Sequence, residues 1–124
     1  MKYLKNIATI FVGAMCILSA TTAQASNTSA RYVDSVLPTS TGYVFFTLKA
    51  DPQGPGRSTI PSCGAGWPTR FAFNMTATGG QALLSTLLTA AAAGKPVIVW
   101  GTGACDAGLA AGDTEGVFYI ELRP

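Results

Sequence analysis

From residue 26 onward, hydrophobic and polar positions fall into short periodic segments separated by glycine, proline and small polar residues. Residues 31–37, RYVDSVL, alternate well enough for a strand, and PTSTG at 38–42 reads as a turn. YVFFTLK at 43–49 is β-branched and aromatic throughout, which predicts a strand buried on both faces or nearly so. DPQGPGR at 51–57 puts two prolines and two glycines into seven residues and is a loop. A third strand at 70–74 carries Phe71 and Phe73 on one side. At 80–93 the period changes to that of a helix: Leu83, Leu84, Leu87, Leu88 and Ala91 make one apolar stripe. Gly94 and Pro96 end it. Residues 97–100 and 117–122 supply the fourth and fifth strands, on either side of a glycine-rich stretch.

The expected fold is therefore mainly β, with one helix between strands 3 and 4. That order is the one found in a five-stranded OB-fold-like barrel, whose helix plugs one end. An open α+β sandwich with the same element order fits the periodicity as well.

The N-terminus has a different pattern. Lys2 and Lys5 precede an apolar run at 7–18, which gives way to small and polar residues ending in Ala23-Gln24-Ala25. This layout predicts a cleavable export signal over 1–25, leaving a single domain at 26–124 in the periplasm or outside the cell. The run is shorter than the roughly 20 apolar residues of a spanning helix, so no membrane anchor is expected. Lipid attachment at Cys16 is disfavoured by Met15, which stands where lipoprotein signals resemble one another in having glycine or alanine.

Cleavage alters the charge balance. The full chain has eight Lys and Arg against six Asp and Glu, for a net charge of +2. Two of those lysines lie in the leader, so the remainder is formally neutral. A neutral chain with no basic run has no electrostatic footprint for nucleic acid. The segment 26–30, small and polar, reads as a flexible lead. Cys63 and Cys105 remain in a chain sent to an oxidising compartment and are expected to form a disulfide.

The sequence contains no histidine, which removes Ser-His-Asp and Cys-His catalysis and the His-based zinc sites. Asp106, Asp113 and Glu115 share one loop region. With no apolar sequence neighbours to raise a pKa, they read as solvated loop carboxylates rather than a catalytic pair, and they lack EF-hand spacing. GTGACDAG at 101–108 lacks the phosphate-loop spacing and is not followed by a helix. Asn27-Thr28-Ser29 and Asn74-Met75-Thr76 match the glycosylation tripeptide, which matters only in a eukaryotic secretory route. No cofactor, metal site or enzymatic activity is expected.

Aromatic rings are the remaining candidates for binding. Tyr32, Trp67 and Trp100 offer flat faces of the kind that sugars stack on. For each of the three, ordinary core or barrel packing is the stronger reading, most of all for Trp100, and Trp67, between Gly66 and Pro68 in a loop near a cysteine, is the best placed for binding. The rest of the helix circumference, Ala82, Ser85, Thr86, Thr89 and Ala93, bears no charge, where a solvent-facing helix normally carries Lys, Glu or Arg. Such a face suggests contact with another surface, a second copy of the chain included. An alanine-rich helix of high intrinsic propensity gives the same composition.

The run from Trp67 through FAFNMTATGGQALLSTLLTAAAAGKPVIVWGTGAC resembles the strand, helix and strand region of B subunits of the subtilase-cytotoxin and typhoid-toxin type. ARYVDSV and YVFFTLK are similar to their first two strands. The resemblance covers most of the chain after the leader and rests on apolar periodicity with a few glycines and aromatics. It implies an OB-fold, a ring of five copies with helices at the centre, and sialylated-glycan binding on the outer face. The sugar-contacting serine of that family falls at Val33 here, beside the matching Tyr32, so only Tyr32 carries over as a contact. The sequence thus leads to an exported, non-catalytic binding module with a glycan as its ligand. The alternative is a monomeric structural or inhibitory protein of the periplasm or cell exterior that acts through a protein partner.

Overall fold

A computed structural model describes residues 25–52, 54, 56–108 and 112–124 of the chain. All but the last residue of the expected export signal lies outside them. The element order is β1 (Val33–Pro38), β2 (Tyr43–Leu48), a 3-10 turn (Ser62–Gly64), β3 (Arg70–Asn74), α1 (Gly80–Ala93), β4 (Val97–Gly101) and β5 (Val117–Leu122). Among the described residues the fold is mainly β, with one α-helix, where the sequence places it. The strands form two antiparallel sheets, β1-β2-β3 and β4-β5, rather than one continuous closed ladder.

Single bridges join the sheets. Arg31 exchanges backbone hydrogen bonds with Val97 at 2.8 and 2.7 Å, Thr28 N–H donates to Val99, and Gly101 N–H donates to Ser26. On the other side Ala72 of β3 bridges Gly116 in parallel, just before β5. The segment 26–31 is thus held along β4, which corrects the reading of 26–30 as a flexible lead. Buried backbone groups on the open side of β4 require partners, and this short stretch of chain supplies them.

Alternation along β2 sends Val44, Phe46 and Leu48 inward, where they meet Phe71 and Phe73 of β3, Leu87 and Ala90 of α1, and Val97 and Val99 of β4. Phe46 stacks on Phe71 with ring centroids 5.7 Å apart and meets Phe73 edge-on. Phe45, on the opposite face, is also buried, packing with Ala72 and Ala107. The expectation of near-complete burial for this strand is met by covering its second face with the loop after β4.

The helix packs through Leu83, Leu84 and Leu87 of the stripe read from the sequence, but Ala90 takes the place of its other two members: Leu88 is 48% exposed and Ala91 is exposed as well. Ala90 obeys the helical spacing as Leu88 and Ala91 do, and so short a side chain suits close approach to the sheet. Gly94, with φ +61°, adopts the left-handed conformation that ends the helix. There Lys95 N–H bonds Ala90 and Gly94 N–H bonds Ala91 in a Schellman turn.

Candidate functional site

Of the sequence-predicted aromatics, Tyr32 and Trp67 flank the three-stranded sheet, just before β1 and β3, and Trp100 lies in β4 of the other sheet. Cross-strand register puts Ser35 opposite Thr47, Leu37 opposite Phe45, and Thr47 opposite Arg70. An irregularity at Asp34, between Val33 and Ser35, lets Val33 face the core while Ser35 faces out. Ser35 Oγ and Thr47 Oγ1 are 2.7 Å apart, and Thr47 Oγ1 reaches Asp34 Oδ2 at 3.5 Å. The Arg70 guanidinium lies 5.6 Å from the Phe45 ring and 5.2 Å from the Trp67 ring, while its Nη2 donates to the Asp113 carbonyl at 3.1 Å. A hollow of about 240 Å³ between Ser35, Leu37, Phe45, Thr47, Arg70 and Asp113 is the result.

Trp67 is 60% exposed and Tyr32 52%. Trp67 precedes β3 in a tight loop, in which Trp67 N–H donates to Gly64 and Arg70 N–H donates to Trp67. Tyr32 accepts from Lys49 N–H one step before β1. With Val33 turned to the core, alternation sends Tyr32 to the outward side. The two aromatics therefore stand at the same end of the sheet, on opposite flanks of β2.

Through its described residues Ala107 and Asp113, the loop between β4 and β5 lies against this outward face and divides it. Beyond it a second hollow of about 360 Å³ lies between the end of β3, the start of α1 and the start of β5. None of the sequence-predicted site residues lines it.

Three attachments hold the dividing loop. The Cys63–Cys105 disulfide is formed and ties it to the loop that carries Trp67. Arg70 holds the Asp113 carbonyl, as described. Third, Glu115 is 1% exposed and forms an ion pair with the Arg57 guanidinium, both side chains being fully buried. Glu115 Oε1 also accepts from Ser26 Oγ at 2.6 Å and from Gly103 N–H at 2.8 Å. Arg57 lies over the Phe71 ring at 4.1 Å and donates to the Pro68 carbonyl at 2.8 Å. Burial lowers its pKa to about 10, so it remains charged at neutral pH.

This overturns the reading of Glu115 as a solvated loop carboxylate. It is enclosed, paired and inaccessible to a substrate, and its work is to fix the loop. Gly101 has no side chain for the same reason, since a Cβ there would collide with the Glu115 carboxylate. Among the described residues no group of three or more His, Cys, Asp or Glu side chains is placed to hold a metal ion, and no helix is long and apolar enough to cross a membrane.

On the helix, Ala82, Ser85, Thr89 and Ala93 are exposed and Thr86 is half-buried. Leu88 joins this exposed, uncharged surface. Trp100, read from the sequence as core, is half-buried and stacks on Tyr119 at 5.4 Å on the other sheet. Arg57, Arg70, Ser35 and Thr47 escaped the sequence reading. Only the register of β1 with β2 and β3 brings the last three together, and no local motif marks Arg57.

No family model matches the chain, and neither a curated protein nor a solved structure does.

Proposed function

We propose that the protein is an exported, non-catalytic binding module of OB-like architecture whose ligand is a glycan held on the outward face of the three-stranded sheet. The observation that carries this reading is the exposed Trp67 indole packed on Arg70, next to the hydroxyl and carboxylate strip of Asp34, Ser35 and Thr47. A sugar ring presents C–H groups on its faces and hydroxyls around its rim. It therefore suits an aromatic plate bordered by fixed donors and acceptors. Tyr32 extends the aromatic surface at the same end.

The OB-like reading is supported by the circuit of backbone bonds from β1 through β2 and β3 to β5 and β4 and back to the 26–31 segment. Export is supported by the layout of residues 1–25 and by the Cys63–Cys105 bond, which belongs to oxidising compartments.

A glycan array probed with the oxidised protein tests the ligand. Binding to a defined set of glycans, lost in Trp67→Ala with the fold intact, is the expected result; no glycan bound at any position overturns it.

A second reading is favoured by one specific observation, the exposed Leu88 within an uncharged helix face. It makes that face a contact surface, for a second copy of this chain or for a partner protein. Capture of a partner from the native envelope that excess sugar does not release would support it over the glycan.

A further inference from the structure

We infer that the second hollow, beyond the 102–116 loop, is a separate binding site for a neutral, ring-shaped polyol of the pyranose class. It goes beyond the reading above, because it shares neither Trp67 nor Arg70 with that face.

Its shape follows from small residues. Ala72, Ala77, Gly79, Gly80, Ala107 and Gly116 line it, and the start of α1 comes so close to β3 that a Cβ at Gly80 would collide with the Asn74 carbonyl. With no side chains to fill the space, about 360 Å³ remains open, within the range of small-molecule sites.

The rim supplies two kinds of contact. Phe118 is 74% exposed, an unusual degree for phenylalanine. The cause is an irregularity in the β4-β5 pairing. Trp100 opposes Tyr119 and Gly101 opposes Val117, which leaves Phe118 without a partner. Such bulges re-aim a side chain, and here the ring is set at the border of the hollow, edge-on to Tyr119 at 5.6 Å. Tyr43 lines the hollow too.

The polar contact is Asp106. Its Oδ1 accepts from Thr102 Oγ1 at 3.0 Å and from Gly116 N–H at 3.1 Å, which fixes the carboxylate, while Oδ2 takes part in no hydrogen bond of the described chain. Asn74, whose Oδ1 is occupied by Thr76, has its amide N–H groups left to donate.

An apolar ring, a fixed carboxylate acceptor and an amide donor match a sugar ring with vicinal hydroxyls. Two hydroxyls donate to Asp106 and accept from Asn74 while a C–H face rests on Phe118. The carboxylate repels phosphate and anionic sugars, which separates this site from the arginine-bearing hollow across the loop.

The test is amide chemical-shift mapping of the oxidised protein with methyl glucoside, methyl galactoside, methyl mannoside and myo-inositol, and with inorganic phosphate as the anionic probe. The expected result is that at least one neutral ring shifts the amides of Gly79, Gly116 and Phe118 while phosphate does not. Asp106→Asn should weaken that binding about tenfold or more, the range of one lost charged hydrogen bond, and Phe118→Ala by about tenfold through loss of the ring's apolar contact. Trp67→Ala should leave it unchanged, so failure of the outward-face reading stays distinguishable. Both variants should fold: Phe118 is exposed, and asparagine keeps the Oδ1 that anchors Thr102 and Gly116. The proposal is overturned if no neutral ring shifts those amides, if phosphate does so instead, or if the affinity is unaltered in both variants.

Discussion

Ser26 Oγ donates to Glu115 Oε1 at 2.6 Å across 89 residues of chain, and the Arg57 guanidinium closes the same carboxylate from its other side. The three side chains join the first strand-like segment, the loop before β3 and the loop before β5 at one buried point. Glu115→Gln therefore leaves Arg57 charged and unpaired in the interior, at a cost of about 3–5 kcal/mol. Urea denaturation should show this as a lower midpoint. The double substitution Arg57→Met with Glu115→Leu should recover most of the loss, since neither charge then remains to be compensated. If the single and double variants are equally unstable, the pair is not the cause.

The Cys63–Cys105 bond closes a loop of sequence separation 42, which in the chain-entropy model stabilises by about 4 kcal/mol. Cys63→Ser should lower the melting temperature in non-reducing buffer and leave it unaltered in reducing buffer relative to the parent. Because the bond ties the Trp67 loop to the loop that crosses the sheet, the variant should also weaken ligand binding on the outward face. An unchanged melting temperature in non-reducing buffer would mean that the bond contributes nothing.

Thr28 makes the N-terminal segment part of the fold. Its Oγ1 accepts the Val99 N–H at 2.9 Å in a buried setting, and its own N–H donates to Val99. Thr28→Val keeps the shape but strands the Val99 donor, which predicts a loss of about 1–3 kcal/mol in chemical denaturation. Hydrogen exchange at Val99 should accelerate in the same variant. A stability equal to the parent's would return 26–31 to the status of a loose lead.

The elements were legible because their signals are local. The helix at Gly80–Ala93 and the strand at Val117–Leu122 occupy the residues that periodicity assigns, since a period and its punctuation lie within the segment itself. The disulfide was legible from the number of cysteines and the compartment that the expected export signal implies. Glu115 was not, because nothing beside it in sequence is apolar or basic. Its enclosure comes from Ser26, Arg57 and Phe71, which only the folded chain brings near. The helix stripe held at Leu83, Leu84 and Leu87 and missed at its edge for a related reason: Leu88 and Ala90 both satisfy the spacing, and contact with the sheet, invisible to periodicity, decides between them. Tyr32 and Trp67 stand exposed at one end of a sheet, but Arg70 and the Ser35–Thr47 pair beside them follow from strand register.

The helix surface leads to a last prediction. Thr89 is exposed, and around it Ala82, Ser85, Leu88, Ala92 and Ala93 form a surface with no charged side chain. On a helix that met only water, Thr89→Glu would be nearly without effect, within about 0.5 kcal/mol of the parent. Against a second copy of the same face, it would place two carboxylates in an apolar contact by symmetry. The expected outcome is that light scattering on the parent gives a mass above that of one chain, while Thr89→Glu gives a monomer whose melting curve in dilute solution matches the parent's. Leu88→Lys should behave in the same way. A parent that stays monomeric at high concentration would remove self-association, and the uncharged face would then be tested against a partner protein.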